Sequence, residues 1–390
     1  MKVLATLAAI CLLPAIASAQ VEKSGPWEMQ SSGTTASLRG IHAVGGGVAW
    51  ASGTNGTVLR TEDSGYMWQS CAMPPGAEKL DLRGIWAWDA NTAIVMSSGP
   101  GDQSRLYKTT DGCSHWTLLY TNPDKDGFWD AIQFVDPRRG ILLGDPTTGA
   151  NDKNGLALTI LKTLDGGTTW MRDPATEGSI RVADGTGAFA ASNSSVAIVG
   201  DRIWFGTGGK SGAHIYIAEF SGLILNLKGP CECANRLSGP RLRVNIPCNC
   251  PEFPHNSTSG FSGYIAVPLS GGTAASGVFS LAFRYSQQGI AVGGDYTKPN
   301  ESTGTAAWTT DAGQHWTGAQ KPPHGYRSTV AWDTDAKAWI AAGTNGSDIS
   351  YDDGKTWQPL DDGNWNALSL PWIVGPKGRI AKLGALPPKK

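Results

Sequence analysis

Apolar residues in this chain come in short runs, about five residues each, separated by glycine-rich or polar breaks. Residues 84–99 read GIWAWDANTAIVMSSG, 131–146 AIQFVDPRRGILLGDP, 280–295 SLAFRYSQQGIAVGGD and 329–343 TVAWDTDAKAWIAAG. Each segment holds two apolar runs around a polar turn, and a third run follows it and ends in a shared octet. Runs this short, without the 3.6-residue spacing of an amphipathic helix, predict strands. A fourth strand starts at the tryptophan that closes each octet, so the repeating unit has the make-up of a propeller blade.

The octets are TEDSGYMW (61–68), TTDGCSHW (109–116), TLDGGTTW (163–170), TTDAGQHW (309–316) and SYDDGKTW (350–357). They share Ser/Thr-x-Asp-x-Gly-x-x-Trp, with Cys113 at the glycine position of the second. The pattern suits a tight hairpin. Its Asp can accept backbone N–H bonds, its Gly can take positive φ, and its Trp can wedge between neighbouring sheets. Asp63, Asp111, Asp165, Asp311 and Asp352, with Trp68, Trp116, Trp170, Trp316 and Trp357, are therefore expected to be structural. Aspartates on separate blades cannot meet around one ion.

A long interval separates Asp165 from Asp311 and holds a unit without an octet. Residues 188–209, AFAASNSSVAIVGDRIWFGTGG, followed by HIYIA at 214–218, supply its first three strands. After the last octet, residues 366–383 supply three more strands, and Pro26-Trp27-Glu28-Met29 resembles the strand that begins at each octet tryptophan. The expectation is an all-β, seven-bladed β-propeller of four-stranded blades, its ring closed by the N-terminal strand, which removes two exposed sheet edges. A surplus at about 219–264 interrupts the unit without an octet. Its stretch 229–253, GPCECANRLSGPRLRVNIPCNCPEF, is unlike the rest of the chain, and a cysteine-stapled insertion and an insertion without function both fit it.

Composition adds context. The 51 glycines and 16 tryptophans suit many short strands joined by tight turns. A net charge of -1 gives no global attraction to nucleic acid or to an acidic membrane. Residues 1–19 read as a secretory leader: Lys2, an apolar run over 3–17, and Ala17-Ser18-Ala19 before Gln20. That run is too short for a comfortable membrane span, and no later segment is long and apolar enough. The single domain is thus expected over 20–390, exported to a bacterial periplasm or secreted.

Without Cys11 in the leader, six of the seven cysteines remain. Cys71 and Cys113 lie in neighbouring units and are expected to form a disulfide, the alternative being two buried thiols. Cys231-x-Cys233 and Cys248-x-Cys250 fit two disulfides or a zinc site; zinc sites more often use two-residue spacers, and export favours oxidation. Nucleotide and hydrolase motifs fail: WFGTGGKS has Trp204 where a phosphate-binding loop needs its first Gly, and no G-x-S-x-G elbow accompanies a triad. The six histidines are scattered, with no metal-binding spacing, so no metal and no cofactor are expected.

The octet resembles the Asp-box, or BNR repeat, of sialidases, other glycoside hydrolases, sortilin-type receptors and the photosystem II stability/assembly factor family. The resemblance covers about residues 25 to 385 apart from the insertion, and the blade phrasing looks most like the assembly-factor family and its exported bacterial relatives. It implies a structural octet away from the ligand face, and a non-enzymatic scaffold with a protein or peptide partner. The relatives carry an arginine-rich patch, for which this chain offers ring arginines together with Arg241 and Arg243 of the insertion.

In a propeller, ligands gather where the inner strands converge. The expected starts of those strands are Arg39, Arg83, Asp130, Gly187, Phe279, Arg327 and Asn366. Three arginines and an aspartate at one level can hold a carboxylate or phosphate; pairing among themselves at strand ends is the plainer alternative. Asp145 and Asp295, after second strands, are expected on the same face. The favoured reading is an exported, monomeric, non-enzymatic binding protein with a partner on the channel face and no nucleic acid. The alternative is a glycoside hydrolase, sialidase-like or inverting, using Asp130, Asp145 or Asp295 as opposed carboxylates. A sialidase would need Phe-Arg-Ile-Pro, where the nearest string is Phe283-Arg284-Tyr285-Ser286, and a Tyr–Glu pair, for which Glu62 and Glu177 are poor candidates.

Overall fold

Strands occupy the short apolar runs, and turns occupy the glycine-rich breaks, in a computed structural model that describes residues 23–148, 155–172, 180–220 and 261–389. The leader, most of the surplus at about 219–264, Cys231, Cys233, Cys248, Cys250, Arg241, Arg243 and Glu177 lie outside the described residues. The described residues include one 3-10 turn, at Gly101–Gln103, and among them no helix is long and apolar enough to cross a membrane.

Among the described residues the strands form six hydrogen-bonded sheets, all antiparallel. Four have four strands each, beginning with Leu38–Gly45, Leu82–Ala87, Trp129–Phe134 and Thr329–Asp333. A nine-stranded sheet contains two four-stranded groups, one from Val196–Val199 to Phe261–Ala266 and one from Ser276–Arg284 to Thr317–Gly318. The strand pair Gly208–Gly277 joins one group to the other. In the last sheet Trp27–Gln30 pairs with Ile380–Leu383, Trp27 facing Leu383. The first strands touch one another in cyclic order: Ala367–Ser369 contacts both Leu38–Gly45 and Thr329–Asp333.

Sheets bury their faces against each other. Trp50, Val58, Ile85 and Val95 form one cluster across the first two sheets, and Ile290, Val292, Val330 and Trp339 form another across a later pair. Each octet tryptophan joins the cluster shared with the sheet before it: Trp116 packs with Trp50, Trp170 with Ile94, and Trp357 with Ile290. Trp68 meets Trp372 edge-on at 5.3 Å.

All five octets use one bonding scheme. In the third, the Thr163 hydroxyl donates to Asp165 Oδ1 (2.9 Å) and accepts from the Gly167 amide (2.8 Å), while Asp165 Oδ1 accepts from the Thr169 amide (2.9 Å). The same three bonds recur around Asp63, Asp111, Asp311 and Asp352. The leading hydroxyl is thus a full partner in the turn, a role the sequence pattern alone does not disclose. The seventh residue adds a second tie where it can: Thr169 and Thr356 donate hydroxyls to the aspartate, and the rings of His115 and His315 reach it. His115 draws the Asp111 carboxyl down to about 2. Thr163 is fully buried, so Thr163→Val, which keeps its shape, strands the Gly167 amide. The variant is expected to lose about 1–3 kcal/mol in urea unfolding, and an unchanged midpoint would deny the hydroxyl its structural part.

Two successive left-handed residues turn each octet: Ser64/Gly65, Gly112/Cys113, Gly166/Gly167, Ala312/Gly313 and Asp353/Gly354. At the second of these a Cβ would point into the preceding sheet, 2.3 Å from Ile94 Cδ1 at Gly167 and 2.2 Å from Ile290 Cδ1 at Gly354. Cys113 occupies that position at φ 66°, and its sulfur is bonded to Cys71 beside the preceding sheet. The expected disulfide therefore stitches two sheets at the place where the other octets admit no side chain.

Candidate functional site

The first strands converge on a cavity of about 550 Å³, open at one end, lined by Arg39, Arg83, Asp130, Asp145, Phe279 and Asn366 among others. Alternation along each strand aims these residues inward.

The cavity has a floor. On sequence alone, residues 188–209 begin with an inner strand; in the structure only Val196–Val199 pairs there, and Thr186–Gly187 pairs separately. The residues between cross the centre. Ala190 O accepts from Arg83 Nη1 (3.2 Å), Asn193 Nδ2 donates to Ile85 O (3.1 Å), and Asn193 Oδ1 accepts from the Ile132 amide (2.7 Å). The Ser192 hydroxyl donates to Ser328 O (2.6 Å), and Ser194 O accepts from the Leu281 amide (2.8 Å). One irregular segment is thereby tied to four sheets and closes the cavity below. It also puts Ala188, rather than the expected Gly187, on the wall.

Arg39 and Arg83 sit side by side and share Asp81. Arg83 Nε lies 2.8 Å and Arg39 Nη2 3.5 Å from Asp81 Oδ2. Asp81 was not among the expected residues; it stands just before the strand Leu82–Ala87, two residues from Arg83. Burial, and then the charge of Arg83, lower the Arg39 guanidinium from its usual value, and its Nε has no partner.

Asp130 and Asp145 form the acidic side. Asp145 is half-buried and accepts from the Ala188 amide at 2.8 Å. Asp130 is 1% exposed, and its Oδ2 has no partner. Burial pushes the Asp130 carboxyl well above the usual carboxylate range, and the neighbouring Asp145 pushes it further. Burial raises Asp145 as well. The remaining wall is aromatic: Phe189 stacks on Phe279 at 3.8 Å, and Tyr326 meets Phe279 edge-on at 4.8 Å.

Two expected residues fall elsewhere. Arg327 is displaced by one position of register. Its amide bonds Gly293 O, as the Leu38 amide bonds Gly375 O and the Trp365 amide bonds Gly343 O. Arg327 therefore holds the core position, and Ser328 faces the cavity; a one-residue slip moves a side chain to the opposite face. The buried guanidinium pairs with buried Asp348 (Nε to Oδ2, 2.7 Å) and bonds Asn345 Oδ1 (2.6 Å). Asp295 lies outside the cavity lining, its oxygens engaged by the Thr297 hydroxyl (2.6 Å), the Thr297 amide (2.9 Å) and the Thr273 hydroxyl (3.2 Å). The octet aspartates stand on separate sheets, and no cluster of potential metal ligands occurs among the described residues.

No family model and no curated protein matches the chain. Solved structures do. YCF48 bound to a D1 peptide aligns with a TM-score of 0.55 at 15% identity, over 94% of this chain and 99% of that one. YCF48 from Cyanidioschyzon merolae aligns with a TM-score of 0.57 at 15% identity, over 92% and 98%. The WD40 β-propeller domain of Doa1 aligns with a TM-score of 0.52 at 10% identity, over 91% and 97%. At such identities the likeness carries the fold: the chain is a β-propeller.

Proposed function

We propose that this protein is an exported, monomeric, non-enzymatic propeller of seven blades, closed by its N-terminal strand, that binds a protein or peptide segment in the mouth of its channel as an assembly factor does. The observation that carries this reading is the blind cavity, with paired arginines on one side and stacked rings on another. An open channel offers a segment only walls; a floored mouth can hold one by its end or by a turn. YCF48 was solved bound to a D1 peptide, which supports a peptide ligand on this fold. The pairing of Trp27–Gln30 with Ile380–Leu383 supports ring closure, and the Asp-box resemblance supports a structural octet. The leader-like residues 1–19 and the Cys71–Cys113 disulfide support export.

The test is affinity capture from the native extracytoplasmic fraction, read by mass spectrometry. Arg39→Ala with Arg83→Ala is expected to lower partner recovery more than tenfold while the thermal melt stays cooperative. Equal recovery by the double variant would refute the mouth as the site. A second reading, hydrolysis of a glycoside, draws on the raised carboxyls of Asp130 and Asp145, since an upward shift favours the protonated form that a general acid needs. It has lost Asp295 as a partner, and it predicts turnover on a glycan panel that Asp130→Asn abolishes.

A further inference from the structure

Resting on the peptide-binding reading, we propose that the bound segment carries a basic side chain beside an acidic one, the basic group lodged against Asp145 with Asp130 behind it. The cavity is sided. Both arginines come from the sheets that begin with Leu38–Gly45 and Leu82–Ala87, and both carboxyls come from the next sheet. The arginines are already compensated in part by Asp81 and by Ala190 O. The two carboxyls make no ion pair among the described residues, and Asp130 Oδ2 makes no hydrogen bond. An unpaired carboxyl buried in a protein is costly, and it is satisfied by a proton or by a cation. The neighbouring Phe189 and Phe279 rings suit the same occupant, because ring faces attract ammonium and guanidinium groups.

The site is therefore dipolar. An acidic side chain meets Arg39 and Arg83, and a lysine or arginine side chain a few ångströms away meets Asp145. The basic group also displaces a proton. The charged groups facing Asp130 are Asp145 and Arg83, and the carboxyl is raised by burial and by Asp145 against the opposing pull of Arg83. Below its raised pKa, Asp130 holds a proton with which the ligand cation must compete. Affinity for the basic residue accordingly strengthens as pH rises through that value, and affinity for the acidic residue does not strengthen with it, because the ionised carboxyl offsets part of the Arg83 charge.

The experiment is a positional peptide array probed with the full chain, in which each position of an otherwise degenerate nonapeptide is fixed in turn as each amino acid. The expected result is joint selection of Lys or Arg and of Asp or Glu at nearby positions. Asp145→Asn, which can still accept from the Ala188 amide, is expected to weaken the basic preference at least tenfold and to leave the acidic one. Asp130→Asn, which mimics the protonated acid, is expected to hold the basic preference at its low-pH strength and to remove the pH dependence, which tests the proposal should the first variant fail to fold. Selection of acidic residues alone would overturn the dipolar site while leaving the peptide-binding reading intact. Selection of nothing would overturn both.

Discussion

Asp348→Ala is expected to destabilise the protein by about 3–5 kcal/mol, because it leaves the fully buried Arg327 guanidinium without its counter-charge. Removing both charges is expected to cost far less. The positions matching Arg327 hold Leu38 and Trp365, and register through Ala341 matches Asp348 to Leu59, opposite Ala51. Arg327→Leu with Asp348→Leu restores the apolar pair that the first sheet uses, where Leu38 and Leu59 share one cluster. Urea unfolding of the two single variants and the double variant separates the cases; a double variant as unstable as Asp348→Ala would show that the pair is more than a substitute for packing. The site also titrates. His324 Nδ1 lies 2.8 Å from Asp348 Oδ1, and that hydrogen bond raises the imidazole above its ordinary value against burial and Arg327. A raised histidine favours the folded state fully below the unfolded value, and the contribution fades as pH climbs through the folded one. This pH dependence should vanish with Asp348.

Loss of the Cys71–Cys113 bond is the second large effect. The cysteines are 42 residues apart, and the loop-entropy model assigns such a closure about 4 kcal/mol. Melts with and without reductant should differ accordingly, and an unchanged midpoint would mean that packing alone holds the first two sheets together. The replacement at Cys113 matters, because its φ of 66° strains any residue with a Cβ. In a Cys71→Ala background, Cys113→Gly should be the more stable by about 1 kcal/mol than Cys113→Ala.

Much of the architecture is legible in the sequence because it is local. The octets declare their hairpins through Thr, Asp, Gly and Trp, and every one adopts the same bonds. The cavity is partly legible for the same reason: Arg39, Arg83 and Asp130 stand one residue into strands whose apolar neighbours fix the facing. Arg327 misleads because the approach to its strand reads Arg-Ser-Thr, which lacks an apolar residue to set the phase, and the bond to Gly293 resolves it. The floor at residues 188–195 is hidden because AFAASNSS has strand-like beginnings, whereas its partners Ile85, Ile132, Leu281 and Ser328 are scattered over four sheets. Asp81 escapes notice because a short acidic side chain before a strand looks like turn chemistry.

The union of Trp27–Gln30 with Ile380–Leu383 carries a consequence for how the molecule comes into being. Its two partners are almost a chain length apart, and bringing such distant segments together costs ~4 kcal/mol more than closing a hairpin. That cost is met once the intervening sheets have drawn the two segments near, so the strand is expected to dock last. A nascent chain cannot fasten it before its tail has emerged, and the same seam is where native-state hydrogen exchange should find the earliest opening.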